Sequence, residues 1–301
     1  FGFKKLNKNK KWGSIFFYVG IFLLPSSIFL GAVFLLLAFV KGSFYQEENY
    51  FTGIFNKLFF VCGLIMITST LVQFFIYEDN FEYIWTPNLS LIGLGNWLPF
   101  FWVFWASQPY LRGKESRKLV SLLLICGSVP ILITGFGQYF FNWTGPFETL
   151  NGLIVWYQRP IDQASGLTGL FSNQNYAGAW LVLIWPFSIA STLDQKKSNK
   201  SRIFSLILLT MIFLAILLTN SRNAWIGLIT SIPFVIGIDS IFWLMTSLGI
   251  FGCILFVCIS NIFSGGIQNF LRSIIPQKIW MEFTNEGFIG LDVTRLEILN
   301  S

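Results

Sequence analysis

Long apolar runs, separated by short polar segments, dominate the pattern of hydrophobic and polar positions along the chain. An α-helix needs about 20 apolar residues to cross a hydrocarbon core of roughly 30 Å. Seven runs approach that length: Leu58–Ile76, Leu91–Trp105, Leu119–Phe136, Tyr176–Leu193, Ile203–Thr219, Ala224–Ile238 and Ile241–Ile259. Each run is predicted to form one membrane-spanning helix.

A further apolar block, Ile15–Val40, is 26 residues long and is interrupted near its centre by Pro25-Ser26-Ser27. Because proline breaks the hydrogen-bond ladder of a helix, the block is either one kinked helix or a hairpin of two. Short cytoplasmic loops retain Lys and Arg. The hairpin puts 15 of the 20 cations on the cytoplasmic side, whereas a single span divides them 10 and 10. The charges therefore favour the hairpin, nine spans, a cytoplasmic N-terminus and an all-α polytopic bundle.

The composition agrees with a membrane protein and excludes several functions. Hydrophobic residues make up 54% of the chain and charged residues 11%, where soluble domains have about a quarter charged residues. The absence of His excludes histidine acid/base chemistry and histidine metal ligation by this stretch, and no cofactor is expected. Four cysteines lie in apolar runs without a CxxC pair and are predicted to be small core residues. The net charge of +6 follows from the lysines that orient the chain and needs no nucleic-acid partner.

The charge count also leaves five cations on the outer face, where they are not needed for orientation. These are Arg159, Arg222, Arg272, Lys278 and Arg295. A guanidinium presents a planar fork of donors that fits phosphate, and two of them could stabilise a departing pyrophosphate without a metal. The alternative is an arginine that anchors a helix end among lipid headgroups. From composition alone, both interpretations stay open for Arg222, and the anchor is favoured for Arg159.

A second polar cluster, Gly166–Gly178, leads into the span that begins at Tyr176. Ser172 or Asn173 is predicted to cap that helix, and the exposed N–H groups of a helix start attract an anion. A capped helix entry with a flexible glycine approach explains the same residues without any ligand. The cluster alone therefore does not establish a binding site.

Three segments resemble successive landmarks of the O-antigen ligase-related family of polytopic membrane proteins. They are GLFSNQNYAGAWL at Gly169–Leu181, LLTNSRNAWIGL at Leu217–Leu228 and TRLEIL at Thr294–Leu299. The resemblance covers roughly Gly166–Ser301, and the first half of the chain matches mainly in its hydrophobic pattern. The amino-acid sequences of the first two segments are most similar to those of a cyanobacterial branch labelled putative bicarbonate transporters.

The resemblance implies a glycosyltransferase-C-like helical bundle in the bacterial inner membrane, with residues 260–301 as the start of a large periplasmic loop. It also implies transfer of a glycan from undecaprenyl pyrophosphate to an acceptor hydroxyl, without a metal. By resemblance, Arg222 and Arg295 are the catalytic pyrophosphate-binding arginines. Asn173, Asn175 and Ser221 are expected to line the same cleft.

Two departures from the family pattern limit this expectation. Many relatives have an arginine just before the first landmark, where this chain has uncharged residues, and Arg159 is the nearest substitute. The loop histidine that serves as base is not present. Since the chain starts at Phe1 and stops in a polar stretch at Ser301, we expect a piece of a longer protein with its base beyond Ser301.

Two rival functions remain at this point. The branch label suggests a transport role in bicarbonate uptake, with Arg222 as an anion-attracting group, although no carboxylate lies unambiguously mid-span as ion-coupled transport usually requires. A structural membrane protein without chemistry is the other alternative.

Overall fold

A computed structural model describes residues 8–46, 49–76, 87–152, 154–161, 165–194, 198–259 and 266–274. Its described residues form twelve α-helices, one 3-10 turn at Tyr50–Thr52 and a two-stranded antiparallel sheet. The helices are α1 (Lys8–Leu23), α2 (Ile28–Phe44), α3 (Ile54–Ile76), α4 (Pro87–Leu111), α5 (Lys114–Gly127), α6 (Val129–Phe141), α7 (Gln174–Leu193), α8 (Asn199–Leu218), α9 (Arg222–Thr230), α10 (Ile232–Ile236), α11 (Ser240–Ile259) and α12 (Gly266–Ile274). The strands are β1 (Phe147–Thr149) and β2 (Ile154–Trp156). The chain divides into two compact units, Phe1–Leu228 and Ile229–Ser301.

Six helical segments in the described residues are long and apolar enough to cross a membrane. They are Ile54–Phe75, Leu89–Leu111, Lys114–Phe141, Gln174–Leu193, Asn199–Leu218 and Ser240–Cys258. Three shorter apolar segments, Lys11–Leu23, Ile28–Phe44 and Arg222–Ile236, coincide with the other predicted spans. The mostly helical architecture with several apolar helices is therefore confirmed, and the count of nine spans stays a prediction.

The first apolar block forms two helices, as the hairpin interpretation predicts. The chain turns at Pro25–Ser27, and α1 and α2 run antiparallel at close range. A Cβ added to Gly20 would lie 2.7 Å from Leu35 Cγ, and one added to Gly31 would lie 2.6 Å from Leu24 Cα. Glycine at both positions lets the two backbones approach, which is how small residues act at helix interfaces in membranes.

A core cluster links this hairpin to α4. Phe17 of α1, Phe39 of α2 and Tyr110 of α4 are all nearly buried, and the Phe17 and Tyr110 rings stack at 4.8 Å. The Tyr110 hydroxyl donates to the carbonyl of Ala38 at 2.6 Å, which satisfies its polar end inside an apolar environment. Helices α1, α2 and α4 thus share a fixed internal contact without any charge.

The candidate spans differ in how much of their surface other helices cover. In the most apolar window of each span, the buried share runs from 6% in Leu89–Leu111 to 39% in Gln174–Leu193. Apolar faces that no neighbouring helix covers suit a lipid bilayer. The hydrocarbon core offers no hydrogen-bonding partners, and apolar side chains need none. The most enclosed candidate span, α7, is the helix that begins at the candidate site described below.

Polar contacts join loops that the charge count assigns to the same side. The Trp156 indole Nε1 donates to the carbonyl of Ser26 at 2.6 Å, so the outer loop contacts the turn of the α1–α2 hairpin. The second contact joins Lys118, near the start of α5, to Asp194, which follows the end of α7. Lys118 Nζ lies 3.0 Å from Asp194 Oδ2. The pairings agree with the predicted topology, while which end faces the cytoplasm stays a prediction.

The second unit contains a helix-capping contact made by Arg272, one of the five cations that the charge count assigns to the outer face. Arg272 of α12 donates from Nε (2.8 Å) and Nη2 (2.6 Å) to the carbonyl of Cys258, in the last turn of α11. Gln268 Nε2 donates to the same carbonyl at 3.4 Å. Helix ends leave carbonyls without intrahelical partners, and a cation there also complements the helix dipole. Arg272 therefore has a structural role.

The cysteine prediction is wrong for three of the four residues. Only Cys258 is buried, whereas Cys62, Cys126 and Cys253 are exposed on apolar helix surfaces. A residue in an apolar run of a membrane protein can face lipid as readily as the protein core, so hydropathy does not separate the two positions.

Candidate functional site

The segment between α6 and α7 forms a folded loop at one end of the helices. Strands β1 and β2 pair antiparallel with Phe147 opposite Trp156, and the turn between them has positive φ angles at Leu150, Asn151 and Gly152. The Gly145 N–H donates to the carbonyl of Gln158 at 2.9 Å, which closes the base of this hairpin. The described part of the loop is therefore held in shape by main-chain hydrogen bonds of its own.

A buried glutamine of α6 holds this loop to the helices. Gln138 is 1% exposed, and its Nε2 donates to the carbonyl of Arg159 at 2.7 Å and to Thr168 Oγ1 at 2.9 Å. Its Oε1 accepts from the N–H groups of Thr168 (2.9 Å) and Gly169 (3.1 Å). All four hydrogen-bonding positions of the amide are used. Gln138 thus fixes the backbone of Arg159 relative to the first landmark.

Gln138 is not among the site residues predicted from the sequence. The predicted span ended at Phe136, so Gln138 was placed in the loop, whereas α6 continues to Phe141. The available signal was a polar side chain that is surrounded by apolar residues on both sides. Such a residue must find a partner when a helix buries it.

The two landmarks of the first unit lie against each other in the fold. The N–H of Leu167 donates to the carbonyl of Leu218 at 2.8 Å, and Asn220 Nδ2 donates to the carbonyl of Ser165 at 3.3 Å. A Cβ added to Gly178 of α7 would lie 3.2 Å from Ser221 Cβ, so the backbone of α7 approaches the start of α9 closely. Segments that are about 50 residues apart in sequence thereby form one structural region.

The start of α7 follows the predicted capping pattern. Asn173 has an extended backbone (φ −140°), and its side-chain oxygen accepts from the N–H of Asn175 at 2.7 Å. Gln174 Oε1 accepts a hydrogen bond from the N–H of Gly166. The cap prediction is confirmed at Asn173, where one side-chain oxygen is therefore already engaged.

An open cavity of about 420 Å³ lies where these segments meet. Its lining includes the side of the loop at Arg159 and Pro160, the Ser165-Gly166 backbone, and the start of α7 from Ser172 to Asn175. Three of the sequence-predicted site residues, Arg159, Asn173 and Asn175, are thus brought to one cavity. An exposed arginine and the first residues of a 20-residue helix therefore line the same cavity.

The other predicted site residues lie elsewhere. Ser221 is buried (3% exposed) and Arg222 is the exposed first residue of α9; neither is among the described residues that line the cavity. They follow Thr219, whose carbonyl is in contact with the cavity residue Gly166. Arg295 falls outside the described residues. The fold therefore puts Arg222 beside the cavity region rather than in its wall.

The cavity combines two features that favour an anion. A helix N-terminus presents N–H groups without intrahelical partners and a partial positive charge, and a guanidinium adds a full charge with paired donors. A phosphate, pyrophosphate or carboxylate fits that combination.

Comparisons of the chain with protein-family models, with curated proteins and with solved structures found no match.

Proposed function

We propose that the chain belongs to an inner-membrane glycosyltransferase of the O-antigen ligase or polymerase type. It transfers a glycan from an undecaprenyl-pyrophosphate donor to an acceptor hydroxyl at the periplasmic face. The observation that carries the proposal is the cavity at which Arg159 meets the N-terminus of α7. It supports an anion-binding role at the first landmark, whose residues Ser172–Asn175 line the cavity with Arg159.

The bound anion in this proposal is the pyrophosphate of the lipid-linked donor. The acceptor oxygen forms a bond to the anomeric carbon of the glycan while the bond from that carbon to the phosphate oxygen breaks. The electron pair leaves with the polyprenyl pyrophosphate, and the acceptor proton passes to a general base. Fixed donors that stabilise the negative charge of the leaving group lower the barrier without a metal.

The arginines have separate tasks in this scheme. Arg159 and the N–H groups at the start of α7 hold one phosphate in the cavity, with Asn173 and Asn175 in its wall. Arg222, which follows the segment in contact with Gly166, binds the pyrophosphate from the neighbouring side together with the backbone around Ser221. By the sequence resemblance, Arg295 is the second pyrophosphate-binding arginine. Many relatives have an arginine just before the first landmark, where this chain has none. In this proposal Arg159 of the preceding loop takes its place.

The test compares arginines at opposite ends of the helices. Arg159→Ala and Arg222→Ala in the full-length protein should each lower the rate of glycan transfer by about 100-fold or more, because removing one donor to a developing anion typically costs that much. The matched control is Arg202→Ala, an exposed arginine in the first turn of α8. It lies 16 residues before Leu218, or about 24 Å along the helix at 1.5 Å per residue, and should retain activity.

Each assay needs a measure of membrane insertion, so that loss of activity is not loss of protein. Unchanged glycan transfer in the Arg222→Ala protein would contradict the proposal. Uptake of isotope-labelled bicarbonate by proteoliposomes of the purified protein, without any glycan transfer, would favour the transport function instead.

A further inference from the structure

Helix α4 has an exposed amide side chain inside a candidate membrane span. Asn96 comes seven positions after Leu89, where the span Leu89–Leu111 begins, which is about 10 Å along the helix. The whole span is about 34 Å long at the same rise, so Asn96 lies about 6 Å from its midpoint. Its side chain is exposed and makes no hydrogen bond with any described residue. Asn96 therefore lies within the hydrocarbon core, where water is absent.

Other polar side chains of α3 and α4 do find partners within the chain. Near one end of this helix pair, Gln108 Nε2 donates to Asn56 Oδ1 at 3.1 Å. Near the other end, Ser90 Oγ donates to Gln73 Oε1 at 3.2 Å. The packing of α3 on α4 thus satisfies polar groups toward both ends of the pair, while the amide between them is left without a partner.

Asn96 lies on the side of α4 that faces away from α3. A Cβ added to Gly63 of α3 would lie 3.3 Å from Leu98 Cδ2, so Leu98 belongs to the contact face. At about 100° per residue, Asn96 is about 160° around the helix from Leu98. Ile92 and Phe100, about 40° to either side of Asn96, are 58% and 64% exposed. Asn96 is therefore the polar centre of an open apolar face.

The depth and chemistry of this amide indicate what covers it. An amide without a hydrogen bond is unfavourable in hydrocarbon, and polar side chains of membrane spans accordingly pair with other protein groups and join helices. A carboxamide has both donors and an acceptor, so its partial charges are complementary to those of a second carboxamide. Two copies inserted in the same orientation are related by a twofold axis along the membrane normal, which puts identical residues at the same depth. A second copy therefore presents a matching amide at the depth of Asn96.

We propose that two copies of the chain associate in the membrane through α4, with their Asn96 side chains hydrogen-bonded to each other at the twofold axis. Nδ2 of one amide donates to Oδ1 of the partner's Asn96. Ile92 and Phe100 pack around this pair and exclude lipid from it. The inference does not depend on the proposed function, because no residue that lines the anion cavity belongs to α4.

The test measures association of the full-length protein in phosphatidylcholine liposomes. Chains carry a donor or an acceptor fluorophore fused at one terminus, and energy transfer is followed while added lipid dilutes the protein. Wild type should show a monomer–dimer equilibrium. Asn96→Leu, which puts an apolar side chain on an open face, should weaken the dimer about tenfold, the order of effect of one polar contact between membrane helices.

The matched control is Thr210→Val on α8. Thr210 is also exposed within a candidate span, but its Oγ1 donates to the carbonyl of Leu206 at 3.0 Å. The hydroxyl is satisfied inside its own helix and needs no second copy. The dimer should therefore form in this variant as it does in wild type.

Cross-linking locates the contact independently of its strength. The background lacks the three exposed cysteines, Cys62, Cys126 and Cys253. At the highest protein-to-lipid ratio, Asn96→Cys should give a disulfide-linked dimer when copper phenanthroline oxidises the two thiols, because the two Cβ atoms meet at the axis. Leu98→Cys, on the face toward α3, and Thr210→Cys, on α8, should stay monomeric under the same conditions.

Several results would overturn the inference. Wild type could stay monomeric at every ratio, or Asn96→Leu could associate as strongly as wild type. If Leu98→Cys or Thr210→Cys gives the linked dimer and Asn96→Cys does not, the copies meet on another surface. If Asn96→Cys is linked to a different protein, or to another part of its own chain, the assignment to a second copy is wrong.

Discussion

The amide of Gln138 offers the sharpest test of how the loop is held to the helices. Gln138→Leu removes four hydrogen bonds and leaves three main-chain groups without that partner: the carbonyl of Arg159 and the N–H groups of Thr168 and Gly169. Gln138 and Thr168 are nearly buried, at 1% and 5% exposed, so water replaces these bonds poorly. At the low end of the cost for an unsatisfied buried group, about 1 kcal/mol each, the loss is about 3 kcal/mol of unfolding free energy.

The free energy of unfolding can be measured by titrating sodium dodecyl sulfate into the protein in maltoside micelles, with tryptophan fluorescence as the signal. The matched control is Gln73→Leu, because Gln73 is exposed on α3 and its Oε1 accepts one hydrogen bond among the described residues, from Ser90 Oγ at 3.2 Å. The control should change the free energy by less than about 0.5 kcal/mol, as exposed substitutions usually do. A loss below about 1 kcal/mol for Gln138→Leu would refute the reasoning, since the loop would then be held by other contacts.

Two further predictions concern contacts that hold the candidate site together. Gly166→Ala should lower the free energy of unfolding by about 2 kcal/mol, because the added Cβ would overlap the carbonyl of Thr219 and force the two landmarks apart; the same measurement checks it. Trp156→Phe should cost about 1 kcal/mol, because the indole loses its 2.6 Å hydrogen bond to the carbonyl of Ser26. Hydrogen exchange should then rise in the β2 strand and in the turn between α1 and α2.

Matched controls exist for both substitutions. Gly93→Ala adds a methyl group in the interior of α4 where no atom lies within 4 Å, so it should be neutral or slightly stabilising. Trp143→Phe changes an indole that is 45% exposed and should leave exchange in β2 unchanged. Equal destabilisation by Gly93→Ala and Gly166→Ala would contradict the close contact at Gly166.

The spans were predictable because the signal that defines them is local. The run predicted at Ile241–Ile259 is α11 at Ser240–Ile259, and the run predicted from Tyr176 is α7 from Gln174. Partition into an apolar phase depends on the hydropathy of consecutive residues, which the chain displays directly. The cap at Asn173 was predictable for the same reason, since a cap joins residues two or three positions apart.

The composition of the site was only partly predictable. The aromatic stretch, the arginine that follows it and the first landmark were each visible, but nothing in their spacing showed that Arg159 and Asn175 line one cavity. The side chains of Gln138 and Gln158 make their contacts across 21 to 31 positions, between α6 and the loop that follows it. Arg272 was counted among the five cations assigned to the outer face without a predicted role, and its bond to the carbonyl of Cys258 is revealed only by the course of α12.

By itself, the sequence indicated a lipid bilayer as the surroundings of this protein and predicted where its apolar helices lie. It also predicted the hairpin of the first block and the segments that contain the candidate site residues. Those properties follow from hydropathy and charge, which add along the chain without regard to distant residues. Only the tertiary structure decided which polar groups meet at the end of the bundle, because a hydrogen bond needs two groups within about 3 Å and correctly oriented. In a chain with so few charges, the site depends on buried glutamines as much as on arginines, and their partners come entirely from the fold.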